Sequence, residues 1–110
     1  MSFELEQKVL EWAEKNKIFE ESNSFLEQIE IVTRLTHLRD SLVLANQAKY
    51  LQQHCKLENN RDRKIIDAQI DNDKSAIKEE LGYVLARLII LAKMEGISLD
   101  ECLKRWLDAV

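Results

Sequence analysis

The sequence predicts an all-α protein, and three observations carry that prediction. The chain has no proline and only two glycines, Gly82 and Gly96, in 110 residues, whereas a sheet protein needs turn formers at each reversal. Its apolar residues recur at three- and four-residue spacing over long stretches, the period of a helix face. Ser24 with Glu27, and Ser98 with Glu101, have the spacing of capping boxes. In that motif the hydroxyl takes a free backbone N–H and the carboxylate reaches back to another.

Taken in order, Phe3, Leu5, Val9, Trp12 and Ala13 share a helical face behind Ser2, predicting an amphipathic helix over 2–16. Asn16 to Ser24 is polar and breaks the rhythm. Behind Ser24, Phe25, Ile29, Val32, Leu35, Leu38, Leu42 and Ala45 predict a second helix that runs to about His54. Residues 56–74 are densely charged around an apolar island of Ile65, Ile66, Ala68 and Ile70. That composition predicts a short helix between mobile ends, with Asp71-Asn72-Asp73 as a turn. From Ser75 a strong helix is expected, its stripe formed by Ile77, Leu81, Val84, Leu85, Leu88, Leu91 and Ala92 and widened by Ile89 and Ile90. A helix apolar around so much of its circumference is buried on more than one side, which in a small chain implies a subunit interface. Gly96 ends it, and a last helix runs from Ser98 to about Asp108. The expected architecture is one domain, 1–110, a bundle of four or five helices. Oligomerisation through the helices around residues 25–50 and 76–95 completes it.

Apolar residues form 45% of the chain and charged residues 33%, the balance of a soluble globular protein. The net charge of −4 weighs against non-specific nucleic-acid binding, which depends on neutralising phosphates. No apolar run is long enough to span a bilayer, and no signal or lipidation motif is seen. Cys55 and Cys102 lack CxxC spacing, so reduced thiols and a cytoplasmic location are expected. His54 beside Cys55 lacks a second ligand pair and reads as the surface end of a helix. Trp12 and Trp106 read as core or interface residues, and Tyr50 has no evident partner.

Two stretches resemble a known family. One is Leu10-Glu11-Trp12-Ala13-Glu14-Lys15-Asn16-Lys17-Ile18, with Ser22 and the helix from Ser24 to Leu42. The other is Ile77-Lys78-Glu79-Glu80-Leu81-Gly82-Tyr83-Val84-Leu85 continuing to Ala92, then Gly96-Ile97-Ser98-Leu99-Asp100-Glu101-Cys102-Leu103. Together they resemble the MazG-like nucleotide pyrophosphohydrolases, the all-α NTP pyrophosphatases. The resemblance implies a MazG-like bundle, dimeric or tetrameric, in which an EExxE motif on one helix faces an ExxD motif on another. Such carboxylates gather Mg2+, which holds a triphosphate and activates water, and the products are a nucleoside monophosphate and pyrophosphate.

Carried over without a gap, EExxE falls on Thr33-Arg34-Leu35-Thr36-His37 and ExxD on Glu80-Leu81-Gly82-Tyr83. Of the acids expected, Glu80 alone remains. The expectation is therefore a relative with weakened or lost hydrolysis that binds a nucleotide or a partner. Arg34 and His37 lie one turn apart, and Tyr83 and Arg87 share a face with Glu80. These four are the candidate nucleotide-binding residues, since guanidinium matches phosphate geometry. The plainer reading makes the same residues an inter-helix salt bridge or a solvated face. A second alignment uses Glu58-Asn59-Asn60-Arg61-Asp62, ahead of Ile65-Ile66-Asp67-Ala68. It offers Glu58 and Asp62, with Asp67 nearby, as partners of Glu80 in an active Mg2+-dependent enzyme. A rival reading takes Leu91 to Cys102 as a helix-turn-helix. The first turn of its second helix carries Asp100 and Glu101, which phosphates repel, and Lys104 and Arg105 come too late to reverse that.

Overall fold

The computed structural model describes residues 3–54 and 59–110; Ser2, Cys55 and Glu58, named above, lie outside them. Among the described residues the chain forms five helices and no strand, and is 90% helical. They are α1 (Phe3–Lys15), α2 (Ile18–Glu21), α3 (Ser24–His54), α4 (Asn60–Met94) and α5 (Leu99–Ala109). No helix among these residues is long and apolar enough to cross a membrane.

Local chemistry sets the boundaries. The break after α1 is made at Lys17, whose φ of 58° is left-handed, while the Asn16 side-chain amide donates to the Trp12 carbonyl at 2.8 Å. The cap of α3 differs from expectation. Asn23 rather than Ser24 supplies it, its Oδ1 accepting from the Leu26 N–H at 3.0 Å, and the Glu27 carboxylate is engaged elsewhere. Asn59 caps α4 in the same way, accepting from the Asp62 N–H at 2.7 Å. Gly96 closes α4 at a φ of 72°, with Gly96 N–H on the Lys93 carbonyl at 3.1 Å and Ile97 N–H on the Ala92 carbonyl at 2.9 Å, as left-handed caps do. Ser98 Oγ then accepts from the Glu101 N–H at 3.1 Å and starts α5.

The stretch expected as a short helix, a turn and a new helix is one continuous 35-residue helix. No proline or glycine interrupts residues 60–81, and a cluster of Asp and Asn stops a helix only where a side chain or loop takes over its backbone bonds. Here Asp73 stays in register with Ile66, Ile70, Ile77 and Glu80, all of them buried or half-buried.

The described chain divides into two compact units, residues 3–33 with 83–110, and residues 34–82. In the first, α2 packs on α1, and Ala13, Ile31, Val84, Ile89, Ile90 and Ala92 form the core. In the second, parts of α3 and α4 run antiparallel, joined by Ser41 to Glu80 and by Gln52 to Asp67. Its buried apolar residues are Ala45 and Ala48.

The inward face of α3 also departs from expectation. Glu27, Ile31, Arg34, Leu38, Ser41, Ala45 and Ala48 are buried or half-buried, whereas Phe25, Ile29, Val32, Leu35 and Leu42 are exposed. Trp12 and Trp106 are exposed as well. α3 carries apolar residues around most of its girth, so its polar residues, which need partners when buried, decide which side turns inward.

Asn72→Pro tests the continuity of α4. An interior helical proline is expected to remove at least about 3 kcal/mol of stability, read by urea denaturation. A change below about 0.5 kcal/mol would restore the turn at 71–73.

Candidate functional site

The unit formed by residues 3–33 and 83–110 contains a buried polar network. Tyr83 and Arg87 are one turn apart on α4, and Glu27 and Glu30 lie three residues apart on α3, so each pair projects from one helix face. Arg87 Nη1 donates to both oxygens of Glu27, at 2.9 and 3.2 Å. Arg87 Nη2 donates to the Tyr83 hydroxyl oxygen at 3.1 Å, and that hydroxyl donates onward to Glu30 Oε1 at 2.6 Å. Ser22 Oγ donates to Glu27 Oε2 at 3.1 Å. The guanidinium carbon also lies 5.2 Å from the Tyr83 ring centre and 5.9 Å from that of Trp12, within cation–π range.

Electrostatics make the network costly to disturb. The side chains of Glu27 and Arg87 are 3% and 15% exposed, so each is the main compensation for the other's lost hydration. Burial by itself pulls the Arg87 pKa down. Hydrogen bonds to Glu27 and Tyr83, and the charge of Glu27, outweigh it and hold the guanidinium above its ordinary value.

The unit of residues 34–82 holds a second set of acids. Ser41 Oγ donates to Glu80 Oε1 at 3.1 Å, and Gln69 Nε2 donates to Asp73 Oδ1 at 2.8 Å. Glu80 Oε2 and Asp73 Oδ2 are buried with no hydrogen-bond partner. Gln52 Nε2 donates to Asp67 Oδ1 at 2.9 Å.

Of the residues singled out from the sequence, the structure brings Tyr83 and Arg87 together. Arg34 (half-buried), His37 (exposed), Glu80 (half-buried) and Asp62 (exposed) belong to the unit of residues 34–82. Glu58 lies outside the described residues. His54 ends α3 in the open, and its ring lies 4.6 Å from that of Tyr50, the partner the sequence did not disclose.

Sequence reasoning missed Glu27 and Glu30. Their signal is present, two acids on one face of a helix, but a capping role accounted for Glu27 locally. They stand seven residues before Arg34 and His37, two helical turns, and a shift of two turns nearly preserves the face.

These donors do not fit a Mg2+ centre. Among the described residues no three His, Cys, Asp or Glu side chains converge to hold an ion. Glu27 already faces a fixed cation, and Tyr83 stands where the resemblance asks for an acid. No family model, no curated protein and no solved structure matches the chain.

Two substitutions probe these acids. Arg87→Met strands the Glu27 carboxylate and is expected to cost about 3–4 kcal/mol in urea denaturation, with much of that recovered in the double variant with Glu27→Gln. Simple additivity of the two changes would remove the coupling. Asp73→Asn keeps the acceptor for Gln69 and removes a buried charge, so a gain of about 1 kcal/mol is expected. A loss of that size would reveal a partner for Asp73 Oδ2.

Proposed function

We propose that the chain is a non-hydrolysing MazG-like protein, a helical scaffold that acts by binding a protein partner. The observation that carries this reading is the Arg87–Glu27 bridge. If the EExxE motif is placed two turns earlier than the gap-free alignment, it falls on Leu26-Glu27-Gln28-Ile29-Glu30 and keeps Glu27 and Glu30. Arg87 is then a built-in cation that meets Glu27, as a metal ion does in the family. A guanidinium holds carboxylates in place but supplies no open coordination position and no activated water.

Protein binding is favoured over nucleotide binding by the same geometry. Arg87 is committed to Glu27 and Tyr83, and an incoming phosphate would compete with Glu27 and meet the negative charges of Glu27 and Glu30. Exposed apolar side chains are plentiful by contrast, among them Phe25, Ile29 and Val32 along one side of α3. They support the homodimer or homotetramer expected from the sequence, in which faces of α3 and α4 are covered by neighbouring copies.

The test is a pyrophosphate-release assay on a panel of nucleoside triphosphates with Mg2+ or Mn2+, alongside titration calorimetry with and without chelator. No release above the protein-free control and no binding heat are expected. Metal-dependent release would establish the Mg2+ enzyme instead. Triphosphate binding that survives chelation would replace the protein partner with a nucleotide.

A further inference from the structure

Within the unit of residues 3–33 and 83–110, α1, the end of α4 and the start of α5 border a groove. It consists of two adjoining hollows of about 440 and 310 Å³ that share Gln7, Leu10 and Lys93, each in the size range of ligand sites. Its floor is apolar. Leu10, Ile89 and Ile97 line the larger hollow, and Leu10 with Phe19 the smaller. Ile97 is 49% and Phe19 37% exposed, so the chain's own packing leaves part of that floor open.

The rim is acidic. Glu6, Asp100 and Glu101 border the larger hollow, Glu11 and Glu14 the smaller, and Lys93 is the cation common to both. These six residues account for the chain's net charge of −4; acids and bases are equal in number elsewhere. Glu4 and Asp40, by contrast, each have a cation beside them, Lys8 and Arg39. Among the described residues no ion pair engages Glu6, Glu11, Glu14 or Glu101. Like charges gathered over a low-dielectric floor focus a negative potential into the groove.

That charge and that floor together select the occupant. A basic amphipathic helix lays its apolar face on the floor and its Lys or Arg side chains against the rim. Glu6 and Glu14 stand eight residues apart on α1, about 12 Å by helical rise, so the rim runs beside roughly two turns of such a helix. A nucleic acid is repelled by it. A divalent ion is poorly served, since among the described residues no three acids converge.

We propose that this groove docks a basic amphipathic helix of a protein partner, with Glu6, Glu14 and Glu101 facing its cations and Leu10 and Ile97 its apolar side chains. The proposal names the partner in the protein-binding reading and rests on that reading. The groove contains none of Glu27, Glu30, Tyr83 and Arg87, so the two fail separately. Metal-dependent pyrophosphate release overturns the reading, whereas peptide binding indifferent to the groove overturns the groove alone.

The probe is a fluorescein-labelled synthetic helix of two Leu-Lys heptads, leucines on one face and lysines on the other. It is titrated with the full chain by fluorescence anisotropy at about 50 mM salt. Saturable binding in the micromolar range is expected, and none by the same helix with serine in place of leucine. Glu14→Lys with Glu101→Lys is expected to weaken binding at least about tenfold, with the helical circular dichroism retained. Asp71→Lys with Glu79→Lys makes the same charge change at exposed positions of the unit of residues 34–82, and is expected to alter binding less than about twofold. Lys93→Glu is expected to tighten it about threefold, a gain that a damaged fold does not produce, with Lys78→Glu as its unaltered control. No saturable binding, equal losses from the two charge pairs, or no gain from Lys93→Glu overturns the proposal. Displacement by micromolar spermine overturns it in favour of a small polyamine. A homo-oligomer that dissociates on Glu14→Lys with Glu101→Lys, read by sedimentation equilibrium, overturns it in favour of a second copy.

Discussion

A carboxylate removed from water must find a cation or enough hydrogen bonds to replace its hydration. Glu27, 2% exposed, places that demand at the start of α3, and Arg87 meets it. Much follows within that unit. Tyr83 is fixed between the guanidinium and Glu30, Ser22 is drawn to Glu27 from the residues just ahead of α3, and Trp12 of α1 lies against the charge. The rotation of α3 follows too, since turning Glu27 inward brings Ile31 inward and leaves Phe25, Ile29 and Val32 outside. The apolar residues alone do not choose that rotation, because α3 is apolar on several sides.

The same constraint is met less fully in the unit of residues 34–82. Ser41 and Gln69 each satisfy one oxygen of a carboxylate and leave the other bare. Among the described residues its buried apolar ones are two alanines, whose small side chains remove little apolar surface from water. A single copy of the chain therefore holds a thin core beside much uncovered apolar surface. In the homo-oligomer proposed above, burial of that surface against other copies would supply the missing hydrophobic term.

Arg87 changes the chemistry available to such a site. A divalent ion orders carboxylates and keeps positions open for water and phosphate; a guanidinium orders them with directional N–H bonds and closes the space. The network is thus organised around charge, with Arg87 in the place that the proposed reading gives to a metal ion. Tyr83 reinforces that organisation, because its hydroxyl hands the positive pull of Arg87 on to Glu30 as a hydrogen bond.

The sequence by itself determined the helical class, the extent of α3 and the ends of α4 and α5 at Gly96 and Ser98, because periodicity, the absence of proline and local capping act over a few residues. It also marked Tyr83 and Arg87 as sharing a face. It misjudged residues 60–74, where a high density of charge hides a helical register that only packing against α3 makes worthwhile. It assigned Glu27 to a cap, since Ser24 and Glu27 satisfy that motif locally while Asn23 fills the role in three dimensions. Only the tertiary structure decided which side of α3 turns inward and which acids meet Arg87. Two positions seven residues apart present nearly the same face, and no spacing rule distinguishes them; the depth at which a charge is buried and the partner across from it do.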